Sequence, residues 1–301
     1  MSKHHYLPQF YLRGFTNGDG HFMIYLVKEQ RFKQDGKAFT PASHFFLPDD
    51  NTITTDGVPD HYLEEFYSGM ESRYARILEK IKAVDQKFGL DAQEVVLLNY
   101  FAGELYWRVP SQRNLINTAT DLHQLNQLGV AVIDKKTMRQ IDPDQFAEAV
   151  KADPSYFQRL RNVLPATTYW NLMDCTWPAT VKTFPGNFPP ICGDNPVILR
   201  HPEKADPFLD DLIFSLAPNK VLFRIRNMKE IFAPNIKFYI DMLQLMQAGE
   251  YVCCVDEAYV QSLVSEFHKS FGSVDLLRKF IFEHLDAEFL QEDEERTTTT
   301  S

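Results

Sequence analysis

The chain has 301 residues, 44% of them hydrophobic with 24 Phe, and a formal net charge of -10. That is ample material for a core, and the acidic balance excludes broad, nonspecific attachment to nucleic acid, which relies on basic surface. No run reaches the roughly eighteen apolar residues of a membrane span, and the opening Met1-Ser2-Lys3-His4-His5 has no hydrophobic signal core.

The first informative stretch is His4-His5-Tyr6-Leu7-Pro8-Gln9-Phe10-Tyr11-Leu12-Arg13-Gly14-Phe15. Pro8 suits the first turn of a helix and Gly14 can end one. Within that helix Gln9 and Arg13 stand four apart on one face, with His5 on the approach to it. Phe10, Tyr11 and Phe15 would anchor the remaining sides in a core. Thr16 to Gly20 is a turn signal, followed by a strand over His21–Val27 with a weaker hairpin partner near Arg31-Phe32-Lys33. Residues 36–59, rich in Pro, Asp, Thr and Gly, read as a long ordered loop.

From Asp60 the spacing predicts a helix through Leu63, Tyr67, Met70, Tyr74, Leu78 and Ile81. Glu71 interrupts its apolar stripe. A carboxylate there needs a partner or a raised pKa, and Arg13 or Arg108 would serve. Asp91-Ala92-Gln93-Glu94 has the form of a capping box and opens a helix apolar nearly all round, which should be central and buried. Glu104 and Arg108 are an i,i+4 pair near its end, and Pro110 stops it. Arg108 and Arg113, beside a helix end, could hold a phosphate or carboxylate, or tie down acidic loops. Several short helices are expected over 118–164.

Strands dominate after Trp170, one of them expected at Asn171–Thr176. In Ile191-Cys192-Gly193-Asp194-Asn195-Pro196-Val197-Ile198-Leu199, two apolar runs flank a corner. Pro196 keeps Asn195 extended, and Asp194 can bond its own backbone in an Asx-turn. Leu212 to Arg226 reads as a hairpin about Pro218-Asn219. A helix follows over Asn235–Gly249, then a strand at Tyr251–Val255, a helix capped by Asp256 and a last helix over Val274–Phe289. The tail from residue 291 is acidic and Thr-rich, and reads as solvated. The four cysteines form no C-x-x-C; they read as reduced small hydrophobes of a cytoplasmic protein, and no metal site is expected.

The opening run resembles a bacterial family filed as domain of unknown function 4238, whose members begin with a His-Tyr-Val/Leu-Pro-Gln-Phe-Tyr-Leu-Arg signature. The likeness continues through the long helix, the Arg108-Val109-Pro110-Ser111-Gln112-Arg113 segment, the Asp194-Asn195-Pro196 segment and a terminal strand-helix unit. It covers most of the chain and brings no established activity with it.

The expected architecture is α+β: an antiparallel sheet from the N-terminal hairpin and the C-terminal strands, packed on a mainly helical middle at 60–165. One compact domain over 1–290 is favoured. Phosphate-cradling glycine loops, nucleophile elbows and H-E-x-x-H are all missing, and no pattern specifies a cofactor or an oligomeric state. The candidate site gathers polar residues from apolar elements. In an enzyme, His5 would be general base or acid, with Asp194 or Glu71 as its orienter or a metal ligand. Gln9, Arg13, Arg108, Arg113 and Asn195 would bind a small anionic ligand such as a nucleotide, for hydrolysis or transfer. In the alternative, a non-enzymatic binding or interaction protein, the same groups form a buried network that specifies the fold.

Overall fold

The computed structural model describes residues 3–50, 52–55, 58–60, 62–82, 90–112, 133–134, 137–152, 179–204, 210–231 and 233–287. The expected strand at 171–176, Arg113, Cys175 and the tail from 291 lie outside them, as does most of 118–164.

The chain opens with β1 (Lys3–His5) and the short α1 (Gln9–Leu12), which Pro8 starts and a 3-10 turn over Arg13–Phe15 continues. The hairpin β2 (Met23–Leu26) and β3 (Arg31–Phe32) follows as expected. The segment read as a loop is more regular than its composition suggests. It contains β4 (Phe46–Pro48), which pairs antiparallel with β1, and the hairpin β5 (Ile53–Thr55) and β6 (Val58–Asp60). His4 and His5 therefore stand on a strand and face opposite sides: His4 is buried and His5 half-buried.

Helices α2 (Tyr62–Lys82) and α3 (Ala92–Arg108) are those the periodicity predicts. Both halves of the Asp91/Glu94 capping box are made, at 2.8 and 2.9 Å. Of the 118–164 region, α4 (Pro143–Ala152) is described. The second half contributes β7 (Ala179–Thr183), β8 (Ile191–Gly193), β9 (Val197–Leu199), β10 (Leu212–Ala217), β11 (Lys220–Arg224), α5 (Ile236–Met246), β12 (Tyr251–Cys254), α6 (Glu257–Ser270) and α7 (Val274–Leu285).

The fold is α+β. One antiparallel sheet runs β3-β2-β12-β8, joining the N-terminal hairpin to C-terminal strands as expected. A second sheet, β7-β11-β10-β9, comes from the C-terminal half alone. Strand residues alternate between two cores. Cys192, Phe214, Leu222 and Cys253 join Tyr11, Phe15 and Phe101 of the N-terminal and α3 side. Ile191, Ile213, Phe223, Val252 and Cys254 join Ile240, Leu263 and Phe282 of α5, α6 and α7. Both sheets are thus covered on both faces, so their strands read as continuous apolar runs. Among the described residues no helix is long and apolar enough to cross a membrane.

Helix α5 lies so close to β8 that a Cβ built on Gly193 would stand 2.7 Å from the Gln244 carbonyl oxygen and 3.2 Å from Ala248 Cβ. The nearest atom belongs to helix backbone and cannot rotate away. We expect Gly193→Ala to lower stability by about 1–3 kcal/mol in urea denaturation; an unchanged midpoint would show that this approach is looser than described.

Candidate functional site

Seven of the eight candidate residues are described, and five of them fall into two separate networks. The first is built on Arg108 at the end of α3. Its guanidinium is nearly all buried, so its donors need acceptors; Nε finds none among the described residues, and the two terminal nitrogens find three. Nη1 donates to Glu71 of α2 at 2.9 Å and to Glu104 one turn back at 2.8 Å. Nη2 donates to the backbone carbonyl of His5 at 2.5 Å. The plane lies 4.6 Å over the Tyr67 ring, and Tyr74 donates its hydroxyl to Glu104 at 3.1 Å. Of the two partners considered for Glu71, Arg108 is the one it takes.

Each carboxylate has its own setting. The Glu104 side chain is fully buried, whereas that of Glu71 is 27% exposed. Desolvation pushes the Glu71 pKa up, against the pull of Arg108. His5 moves the other way: burial lowers it, and Arg108 and Lys3 add to that, while a hydrogen bond with the Ala42 backbone and the charge of Glu64 oppose it. Its Nε2 is buried and has no hydrogen-bond partner among the described residues.

Gln9 and Arg13 do not join this network. Gln9 is half-buried and Arg13 exposed, and no hydrogen bond or ion pair of either side chain is found among the described residues. α1 ends at Leu12, and Arg13, whose amide still donates to the Gln9 carbonyl, opens the 3-10 turn. The signature residue that does reach across the fold is Tyr11, fully buried, whose hydroxyl donates to the Ser215 carbonyl of β10 at 2.8 Å.

The second network is the Asp194-Asn195 corner. The sequence predicts an Asx-turn here. Instead the Asp194 carboxylate accepts from the amides of Gly249, Glu250 and Tyr251 at 2.7, 2.8 and 2.9 Å, and so shapes the turn that feeds β12. Desolvation raises its pKa while those amides lower it, with a net upward shift. The Asn195 and Val197 carbonyls accept from Gln247 Nε2 at 2.7 and 3.1 Å. No hydrogen bond or ion pair among the described residues joins His5 to Asp194. The 44–46 segment runs between the two networks, since His5 pairs with Phe46 while the Phe45 and His44 rings meet Tyr251 at 6.2 and 5.8 Å.

His44 carries no signal in the sequence that marks it out. Its Nε2 lies 3.0 Å from Lys33 Nζ and its Nδ1 2.9 Å from Ser43 Oγ, which donates to the Thr40 carbonyl. These partners assign a neutral ring that accepts from the ammonium and donates to the hydroxyl. Burial, then the charges of Lys33 and Lys3, hold its pKa down at about 4. Next to it Phe45 has φ +62°, a left-handed backbone that a bulky residue rarely adopts, and is wedged by Tyr6, Phe22 and Tyr251. Among the described residues no group of three His, Cys, Asp or Glu is placed to hold a metal ion.

The family described as "Protein of unknown function (DUF4238)" matches residues 3–243, so the chain belongs to that family. The match ends within α5, leaving β12, α6 and α7 beyond it. No curated protein and no solved structure matches the chain.

Two measurements follow from this geometry. Asp194→Ala leaves three backbone amides without their acceptor and should cost about 2–4 kcal/mol in chemical denaturation; a loss under about 0.5 kcal/mol would mean that water replaces the carboxylate freely. His44 titrates lower folded than at its ordinary 6.5, so the unfolded chain binds the extra proton between the two values. Its contribution is complete above 6.5 and is lost as pH falls towards about 4. The difference in stability between wild type and His44→Gln should shrink over that window by at most roughly 3 kcal/mol. Glu71 and Asp194, both shifted upward, slope the opposite way but cancel in the difference; a pH-independent difference would contradict the neutral, buried ring.

Proposed function

We propose that the chain is a binding or interaction protein whose two motif clusters specify and hold the fold, and that it is no hydrolase built on His5 and Asp194. The observation that carries this reading is the engagement of the charged groups. Arg108 gives its two terminal nitrogens to Glu71, Glu104 and the His5 carbonyl, and Asp194 is met by three amides. Two carboxylates beside one guanidinium also leave the cluster with excess negative charge, which repels a phosphate. A bacterial, cytoplasmic setting, which the reduced cysteines suit, belongs to the same reading.

One observation favours the enzymatic alternative. His5 keeps a buried Nε2 without a partner among the described residues, and Glu71 stands partly open within the same network. Burial lowers the His5 pKa and raises that of Glu71, and titratable groups displaced together in one cluster are a mark of functional sites.

The test compares stability with turnover. Arg108→Met should cost about 3–5 kcal/mol, because it strands a buried carboxylate. Glu71→Gln retains an acceptor and removes the surplus charge, so it should change stability by under about 1 kcal/mol. The wild-type protein should hydrolyse neither bis(p-nitrophenyl) phosphate nor single-stranded DNA above background. Turnover that is lost in folded His5→Ala and Glu71→Gln variants would overturn the binding reading in favour of the enzyme.

A further inference from the structure

A hollow of about 340 Å³ opens between the segment after β9 and helix α7, and it is lined by no member of either motif cluster. Its deepest cation is Arg278, only 8% exposed. Nη1 of that guanidinium donates to the Leu199 carbonyl at 2.8 Å, which pins α7 to β9. Nε is buried and meets no acceptor among the described residues, and no salt bridge to this arginine is found there. Asp275, Glu203 and Asp210 act on it only at a distance, and burial still lowers its pKa. A buried guanidinium held by one carbonyl has donors left over, which is unusual for so costly a group.

The second arginine on this wall is occupied. Arg200 is bonded to Asp211 at 2.7 Å and to Asp286 at 2.9 Å, and it stacks on Phe282. His201 beside it is oriented by Asp210, which accepts from the His201 amide at 2.5 Å and lies 2.9 Å from Nδ1. Nδ1 faces the carboxylate, so the neutral ring would carry its proton there and leave the Nε2 lone pair free, and the side chain is 42% exposed. Glu203, Asp275 and Glu283 complete the acceptors on the wall, and Lys279 leans on Glu283 at 3.7 Å at the exposed rim.

So a buried guanidinium with an unanswered donor shares the wall of the hollow with several acceptors. A simple anion would satisfy Arg278 but meet three carboxylates. A simple cation would suit the carboxylates and leave Arg278 unanswered. We propose that the hollow binds a small zwitterion, such as a free α-amino acid, with its carboxylate on Arg278 and its ammonium among His201, Glu203 and Asp275. The volume lies at the lower end of small-ligand sites, which suits a molecule of that size. The binding reading above enters only in the expectation that this ligand is held and released unchanged.

The experiment is calorimetric titration of the full chain with alanine, acetate, methylammonium and inorganic phosphate. Alanine should bind saturably, and the three singly charged or purely anionic probes at least about tenfold more weakly. Arg278→Lys keeps a cation but loses the fork, and should weaken alanine by about tenfold. Should that variant fail to fold, Glu203→Gln, at an exposed position, carries the test. It should weaken alanine several-fold without weakening acetate, which loses one repelling carboxylate. Lack of saturable alanine binding, acetate or phosphate binding as tight as alanine, or full affinity in the folded variants each overturns the proposal. Such failures leave the scaffold role of Arg108 standing, whereas hydrolysis dependent on His5 would sink that role and leave this hollow untouched.

Discussion

A single guanidinium, buried where three segments meet, sets the terms for the N-terminal half of the molecule. Arg108 reaches α2 through Glu71, its own helix through Glu104 and β1 through the His5 carbonyl. A charge so far from water is tolerated only with partners of good geometry, so each segment is constrained in register as well as in position. β1 could slide along β4 only by giving up the His5 carbonyl. α2 could turn about its axis only by exposing Tyr67 and withdrawing Glu71. The interaction thus contributes uniqueness of arrangement more than net stability.

The corner at Asp194 does the same for the C-terminal half by a different means. Its carboxylate gathers three successive amides and aims the chain into β12, the strand that separates the two cores. Cys253 and Cys254 on that strand show the division directly, one thiol in each core. Tyr11 ties the signature helix to the second sheet, stacking on Phe214 at 5.4 Å while its hydroxyl reaches Ser215. The opening segment is therefore held chiefly by burial and pairing: His5 through its backbone, Tyr11 through its ring and hydroxyl.

Much of this was legible from local pattern. A glutamate on an apolar stripe demands a partner, and an i,i+4 Glu-Arg pair near a helix end supplies the arginine. The capping box of α3, the β2–β3 and β10–β11 hairpins and the amphipathic α5 follow from spacing alone. What was not legible depends on closure of the chain. The β1–β4 ladder joins strands about forty residues apart, in a segment whose Pro and Asp content signals a loop. The acceptor role of Asp194 needs the 249–251 turn to arrive beside it, so the local Asx-turn was the natural expectation. Strands covered on both faces lose the alternation that marks a sheet, which hid the second sheet as a unit. The Arg278 hollow left one weak trace: the charged residues Arg200-His201 and Asp210-Asp211 flank apolar strands, where paired charges commonly meet across neighbouring ends.

The central claim is that Arg108 is answered by protein and works for the fold. A double-mutant cycle between Arg108 and Glu104 tests it most directly, with Arg108→Met, Glu104→Leu and the double variant compared by chemical denaturation. If the two charges serve each other, Arg108→Met strands the buried Glu104 while Glu104→Leu leaves Arg108 with Glu71 and the His5 carbonyl, and the double variant loses less than the two single losses summed, a coupling of about 2–3 kcal/mol. Strictly additive losses would mean that Arg108 is held ready for something other than Glu104, and would contradict its role as the tie between α2, α3 and β1.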